Sequence, residues 1–321
     1  MSITSRRKFL TQAVGTAAFG LFYSACTSQK QTSSNNPSGS ASFFEISLAQ
    51  WSLHKALFAK QMTNLDFPVV ARKQYGISAV EYVNQFFSDK AKDTNYLNEL
   101  LKRCNDNAIK NHLIMIDGEG GLGDLNVAKR MQAVENHYKW VDAAKYLGCS
   151  TIRVNAFGEG SADDVQKAAI DALSKLGEYA EPQNINVIVE NHGSYSSNGQ
   201  WLAAVMKGVN KANVGTLPDF GNFCIKREGG QTWGGKCLEE YDRYKGVAEM
   251  MPYAKGASAK TYDFDANGNC IETDYYRMMK IIKDSGFHGY VGIEYEGEKL
   301  SEEEGIRKTK ALMEKIAVSL K

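Results

Sequence analysis

The sequence of 321 residues is poor in proline, with 5 against 29 glycines, and nearly lacks net charge, with 38 Lys+Arg against 37 Asp+Glu. The first shortage excludes collagen-like and proline-rich chains. The charge balance makes nucleic acid an unexpected partner. Residues 1–25 hold Arg6, Arg7 and Lys8 and no acid, so the remainder carries a net charge of −2 and no polybasic membrane patch is expected. None of the 6 cysteines stands in a Cys-x-x-Cys pair, so neither a zinc ribbon nor a disulfide framework is signalled. No G-x-G-x-x-G opens a helix after an early strand and no G-x-x-x-x-G-K-[ST] occurs, which removes the main support for an open-sheet nucleotide binder. Gly118-Glu119-Gly120-Gly121-Leu122-Gly123 has no nearby lysine and carries acids at Asp117, Glu119 and Asp124, so it reads as a mobile loop rather than a phosphate cradle. What is present, 43% hydrophobic and 23% charged residues, is the composition of an ordinary globular protein with a substantial core.

The amino terminus is set apart. Ser5-Arg6-Arg7-Lys8-Phe9-Leu10 forms a twin-arginine signature, followed by an apolar run from Thr11 to Ala25 that is shorter than the ~20 residues a membrane span needs. Residues 1–25 are expected to be a signal peptide, and residues 26–42 a polar Thr/Ser/Gln/Asn-rich tether. Cys26 after Ser24-Ala25 resembles a lipoprotein cleavage site, although Tyr23 replaces the usual aliphatic residue. Lipid attachment at Cys26 and plain cleavage nearby both stay open. Either way the expectation is export by the twin-arginine route, to the periplasm or to a membrane-anchored lipoprotein.

From residue 43 to residue 321, β-rich runs alternate with helical periodicity. Strands are expected to begin near Phe44, Ala79, His112, Thr151, Asn186, Val214, Gly256 and Tyr290, a spacing of about one βα unit. Between them, Leu97, Leu100, Leu101 and Cys104 share one helical face, and Met131, Val134, Tyr138 and Val141 share another. Gly76, Gly148, Gly286 and Asn184 stand where left-handed helix caps are wanted. Such alternation over about 280 residues predicts an α/β fold, a (βα)8 barrel, with an open doubly wound sheet as the alternative.

Polar residues that end apolar strands are the informative ones. In Asn186-Val187-Ile188-Val189-Glu190-Asn191-His192, strand alternation puts Ile188, Glu190 and His192 on one side, facing the barrel axis. Gly292, Glu294 and Glu296 share parity in the same way, and Leu217-Pro218-Asp219-Phe220-Gly221-Asn222 adds a third carboxylate. Three acids on one rim need positive charge if buried, which points to a divalent metal bound by hard oxygen donors. Arg153 shares parity with Thr151 and Asn155 and is able to neutralise the acids or bind substrate oxygen. Lys260 is expected on the same rim as Ser258. Trp51, His54, Phe86, Phe87, Tyr195, Trp201 and Trp233 fall in or near upper loops; about half are expected to be anchors and the rest faces for a sugar ring.

These segments resemble the xylose-isomerase-like barrels, the sugar isomerase and epimerase superfamily that also includes inosose dehydratases and endonuclease-IV-like barrels. The likeness runs from about Phe43 onward and is most specific at Val187–His192, Leu217–Asn222 and Gly289–Glu296. It implies metal-ligand positions for Glu190, Asp219 and Glu294, with the two glutamates doubling as acid/base groups; by their places on the same rim and loops, Lys260 is expected as a further catalytic group and His192, Arg153, Trp51 and Asn222 around the substrate. The implied cofactor is a divalent metal: manganese, magnesium, cobalt or zinc. Where many members carry a histidine ligand, this chain reads Ser258-Ala259-Lys260-Thr261. The metal is then held by three carboxylates with water, or recruits His192, or is replaced by the charge of Lys260. The implied activity is proton abstraction beside a carbonyl, ending in isomerisation, epimerisation or β-elimination, on a free sugar or keto-glycoside. A metal-free glycoside hydrolase and a non-catalytic sugar-binding lipoprotein are the readings from other classes.

Overall fold

The structure, a computed structural model, describes residues 42–320. The signal, tether and Cys26 expectations lie outside the described residues. Eight parallel strands run in the order their sequence requires: β1 (Phe44–Ala49), β2 (Ala79–Val83), β3 (Lys110–Met115), β4 (Thr151–Val154), β5 (Asn186–Glu190), β6 (Val214–Leu217), β9 (Ala257–Thr261) and β10 (Gly289–Tyr295). Between β6 and β9 the chain makes an antiparallel hairpin of β7 (Cys224–Arg227) and β8 (Cys237–Glu240). β1 pairs with both β2 and β10, and the seam between β6 and β9 is bridged only at Thr216–Ala254 and Asp219–Ser258, so the barrel is nearly closed. Strands begin within two residues of the positions expected from sequence.

The helices are α1 (His54–Phe58), α2 (Phe67–Tyr75), α3 (Thr94–Asp106), α4 (Val127–Leu147), α5 (Ala162–Ala180), α6 (Gly199–Val209), α7 (Arg243–Met250), α8 (Tyr275–Asp284) and α9 (Glu302–Ser319). Their starts follow from local chemistry: Asp93, Asn126, Ser161, Asn198, Asp242, Asp274 and Ser301 each accept a hydrogen bond from a first-turn N–H. Each such cap contributes about 1 kcal/mol. Gly76 and Gly148 end α2 and α4 in the left-handed conformation, as their spacing predicted. Leu97, Leu100 and Cys104 are buried beneath α3, and Val134 and Val141 beneath α4, whereas Leu101, Met131 and Tyr138 are half-buried at the edge of the same faces. No described helix is long and apolar enough to cross a membrane.

Two apolar layers fix the strand ends in space. The larger lies between barrel and helices and takes the outward residues, including Val187, Val189, Val291 and Ile293. The smaller fills the barrel with Ala49, Val83, Leu113, Met115, Ile188 and Leu217. Ile188 therefore points inward, and by alternation so does Glu190 two residues on. The carboxyl ends of the strands form the floor of a cavity of about 580 Å³.

Candidate active site

Glu190, Asp219 and Glu294 converge: each offers an oxygen within 4.8 Å of the others, and all are buried. Each comes from the end of a different strand. Asp219 follows β6, where its Oδ1 accepts hydrogen bonds from the backbone N–H groups of Gly221 and Asn222, at 2.8 Å each. Glu190 Oε1 accepts from Asn222 Nδ2 at 3.0 Å, so Asn222 braces two of the acids at once. Glu294 accepts from Ser258 Oγ and from Lys260 Nζ, both at 2.8 Å. Ser258 thus holds a carboxylate rather than standing free as a ligand.

Lys260 is only 2% exposed. Its ammonium also lies 3.1 Å from Glu296 Oε2 and 3.8 Å from Asp219 Oδ2. Glu296 in turn accepts from the indole N–H of Trp51 at the cavity wall. On the far side Arg153 Nε is 2.9 Å from Glu190 Oε2, an approach too oblique for a hydrogen bond, and Arg153 Nη1 donates to Asp117 at 2.8 Å. His192 does not join the carboxylates; its Nδ1 pairs with Asn155 Oδ1 at 2.8 Å and its ring forms a wall with Phe157 and Trp233. Recruitment of His192 as a ligand is therefore set aside.

Electrostatics follow from burial. Glu190, Asp219, Glu294, Glu296 and Asp117 face only Lys260 and Arg153, an excess of three negative charges when all are ionised. Burial pushes Glu190 well above the usual carboxylate range despite the pull of Arg153, and Glu294 and Asp219 add repulsion. Asp219 is pushed up to about 6, by burial first, against Lys260. Burial opposes the charges on Lys260 and Arg153, but the surrounding acids outweigh it and hold both pKa values above their ordinary ranges. Burial, helped by Arg153, drives His192 down to about 3, so that ring is neutral near pH 7.

A divalent cation fits this donor set. Asp219 Oδ2 and Glu190 Oε2 are buried without a hydrogen bond, beside an oxygen of Glu294, in a cluster short of positive charge. Buried carboxylate oxygens left in that condition cost several kcal/mol unless a cation or proton satisfies them. Lys260 meets part of the deficit through Glu294 and Glu296, and Arg153 pairs with Glu190 Oε2 at 2.9 Å without a hydrogen bond, so Asp219 Oδ2, 3.8 Å from the Lys260 ammonium, is the least satisfied of these oxygens.

Two acids were overlooked in the sequence. Asp117 follows β3 at the parity of Leu113 and Met115; counting it with the glycine run concealed a strand end. That run is tied down: Glu119 accepts from Trp140 Nε1 at 2.6 Å and pairs with Lys139 at 2.8 Å, and Gly123 N–H donates to Phe157 O at 2.7 Å. Glu81 sits within β2, where Ser47 Oγ donates to it at 2.5 Å and its Oε2 is unpartnered. A Cβ at Gly292 would lie 2.6 Å from that oxygen, so the glycine makes room for the carboxyl two residues below Glu294. Burial pushes Glu81 up to about 7, against the bond from Ser47. Among the aromatics, Trp51 and Trp233 line the cavity, while Phe87 and Trp201 are core anchors.

Cys224 and Cys237 are joined by a disulfide across the hairpin. This corrects the expectation drawn from cysteine spacing: a separation of 13 residues carries no pattern, and only the hairpin brings the two together.

A family model described as xylose isomerase-like TIM barrel matches residues 69–316. Among solved structures, the IOLI protein with a bound zinc atom superposes with TM-score 0.65 at 15% identity, over 86% of this chain and 98% of that one. An L-ribulose 3-epimerase gives 0.65 at 13% identity, over 85% and 94% of the two chains. The apo form of the 3-keto-D-glucoside 4-epimerase YcjR from E. coli gives 0.59 at 12% identity, over 86% and 100%. No curated protein matches the sequence.

Proposed function

Since the chain belongs to the xylose isomerase-like TIM barrel family, we propose that it is a metal-dependent sugar isomerase or epimerase-type enzyme acting by proton abstraction beside a carbonyl. The observation that carries this reading is the convergence of Glu190, Asp219 and Glu294, two of their oxygens without a hydrogen bond, beside a cavity that Glu294 and Lys260 line. A cation held by these three would supply Lewis-acid stabilisation of the charge that develops on the substrate's carbonyl oxygen as the neighbouring proton leaves. The chain's own groups do the rest. Glu190 is one acid/base group, and Arg153 steadies its charge. Glu294 is the opposing acid/base group, oriented by Ser258 and Lys260. His192, neutral and fixed by Asn155, and Trp51, fixed by Glu296, shape the walls around the sugar.

The substrate in this reading is a free sugar or keto-glycoside. β-Elimination from a keto-glycoside is the second reading, favoured by the cavity volume of about 580 Å³, which leaves room for a leaving group beside the reacting ring. The same proposal includes export from the cytoplasm: the twin-arginine signature motivates it, and the Cys224–Cys237 disulfide supports it, because such bonds persist in oxidising compartments. Lipid attachment at Cys26 is part of the same proposal.

The test is to incubate metal-loaded protein with ketoses, aldoses and keto-glycosides in deuterated water and follow deuterium entering the carbon beside the carbonyl. Exchange that stops on chelation and returns with Mn²⁺ or Mg²⁺ is expected, and the product separates isomerase, epimerase and lyase. Glycoside cleavage that survives chelation intact would put the metal-free hydrolase ahead; sugar binding without exchange in any substrate would put the binding protein ahead.

A further inference from the structure

We propose that the β7–β8 hairpin is a second binding subsite, which receives the outer unit of a two-unit glycoside on the face of Trp233 while the inner sugar lies over the carboxylates. The proposal rests on the sugar reading above and names its substrate class. The hairpin interrupts the barrel's βα alternation, lying between β6 and α7, and the Cys224–Cys237 disulfide ties the start of β7 to the start of β8 across it. Its tip is braced from within: Arg227 Nε donates to Thr232 O at 3.2 Å and Arg227 Nη1 to Gly235 O at 3.3 Å. The tip is also seated against the body. A Cβ at Gly193 would meet Thr232 Cγ2 at 2.9 Å, and the Trp233 ring lies 4.3 Å from that of His192.

The cavity therefore has two walls of unlike chemistry. One carries Lys260, Glu294 and Glu296; the other carries Trp233, Phe157 and Arg227. Cavities of roughly 300–1,000 Å³ hold drug-sized ligands, and this one measures about 580 Å³, larger than a single hexose needs. A neighbouring cavity of about 520 Å³ shares Phe157 and reaches Thr232 and Tyr195, so the space continues past the hairpin tip. Although packed against His192, Trp233 stays 41% exposed, so part of its indole is open to a ligand. A flat, stiff aromatic face binds the apolar side of a sugar ring with little ordering cost, and the disulfide keeps it in place before the ligand arrives.

Two readouts test the proposal on the full-length oxidised protein: calorimetric binding, and kcat/KM for solvent deuterium exchange. The probes are 3-ketocellobiose and 3-ketomaltose, each against the matching methyl 3-keto-glucoside. Wild type is expected to prefer at least one disaccharide by about tenfold. Trp233→Ala is expected to remove most of that ratio, and Cys224→Ser/Cys237→Ser to move it in the same direction. A wild-type ratio near one for both pairs, or a ratio that neither variant changes, overturns the subsite. A binding ratio that depends on Trp233, without exchange on any probe, keeps the subsite and defeats the enolisation reading. Exchange with equal kcat/KM for one-unit and two-unit probes does the opposite.

Discussion

The two ends of the barrel bury polar groups in opposite ways. At the amino end His112 packs on Tyr290 with ring centroids 4.4 Å apart, and neither of its ring nitrogens has a hydrogen bond. Burial, with repulsion from Lys110, drives its pKa down to about 4, so the protein buries it as a neutral ring. At the carboxyl end Glu190, Asp219, Glu294 and Asp117 are retained as acids and interlocked with Lys260 and Arg153. Apolar residues of similar size would fill that space at less cost in desolvation. The amino end shows that this fold is able to neutralise a polar side chain it buries; the carboxyl end crowds more acids than cations, so Glu190 and Asp219 hold protons more tightly than free carboxyls do, which is what a site built for a cation and a proton-bearing substrate needs.

The sharpest way to break the comparison is to mutate both ends and read the rate. Glu190→Gln and Glu294→Gln are each expected to lower deuterium exchange by about 10²–10⁴-fold, the usual range for losing an acid/base group. His112→Gln is expected to leave exchange within about threefold, because it lies at the opposite end of the strands. Equal losses from both ends would mean that the rate reports general stability.

pH provides the next test, since a buried acid inside the barrel and the buried histidine at its amino end give slopes of opposite sign. Glu81 has its folded pKa raised from 4.5 to about 7, so it contributes stability that is full below 4.5 and lost as pH rises through 7. His112 has its folded pKa lowered from 6.5 to about 4, so it contributes stability that is full above 6.5 and lost as pH falls through 4. Each amounts to an order of 3 kcal/mol over its window. In urea unfolding between pH 4 and 7, Glu81→Gln should remove the decline toward neutral pH, and His112→Leu should remove the decline toward acid. Variants with unchanged slopes would show that these groups do not titrate as their burial requires.

A smaller effect sharpens the carboxyl end alone. Mn²⁺ at about 100 times its dissociation constant should stabilise the wild type by about 2.7 kcal/mol, read as a rise in Tm, because it binds only the folded state. Asp219→Asn should abolish that rise. A His112 variant that lost it equally would contradict the assignment of the cation to the carboxyl end.

Much of this was legible in the sequence, for stated physical reasons. Strand alternation carried Glu190, Asp219, Glu294 and Lys260 to one rim because each ends a strand whose apolar residues fix its parity. The same rule applies to Asp117, where the following glycines drew attention to the loop instead. Glu81 stands inside an apolar strand, and its environment depends on Gly292 and Ser47 from other strands, which no local pattern reveals. The Cys224–Cys237 bond and the seating of Trp233 on His192 are tertiary facts of the hairpin. Asn222, expected beside the substrate, lines the cavity, and its amide also holds Glu190, a partner 32 residues away that no local pattern reveals.

The central claim is that Glu190, Asp219 and Glu294 hold a divalent cation beside Lys260. The most direct measurement is anomalous scattering from crystals soaked in Mn²⁺, collected near the manganese absorption edge. A single strong peak bonded at about 2.0–2.6 Å to one oxygen from each of the three carboxylates is the predicted result. No peak between them, with the Lys260 ammonium still bonded to Glu294 in fully soaked crystals, would contradict it.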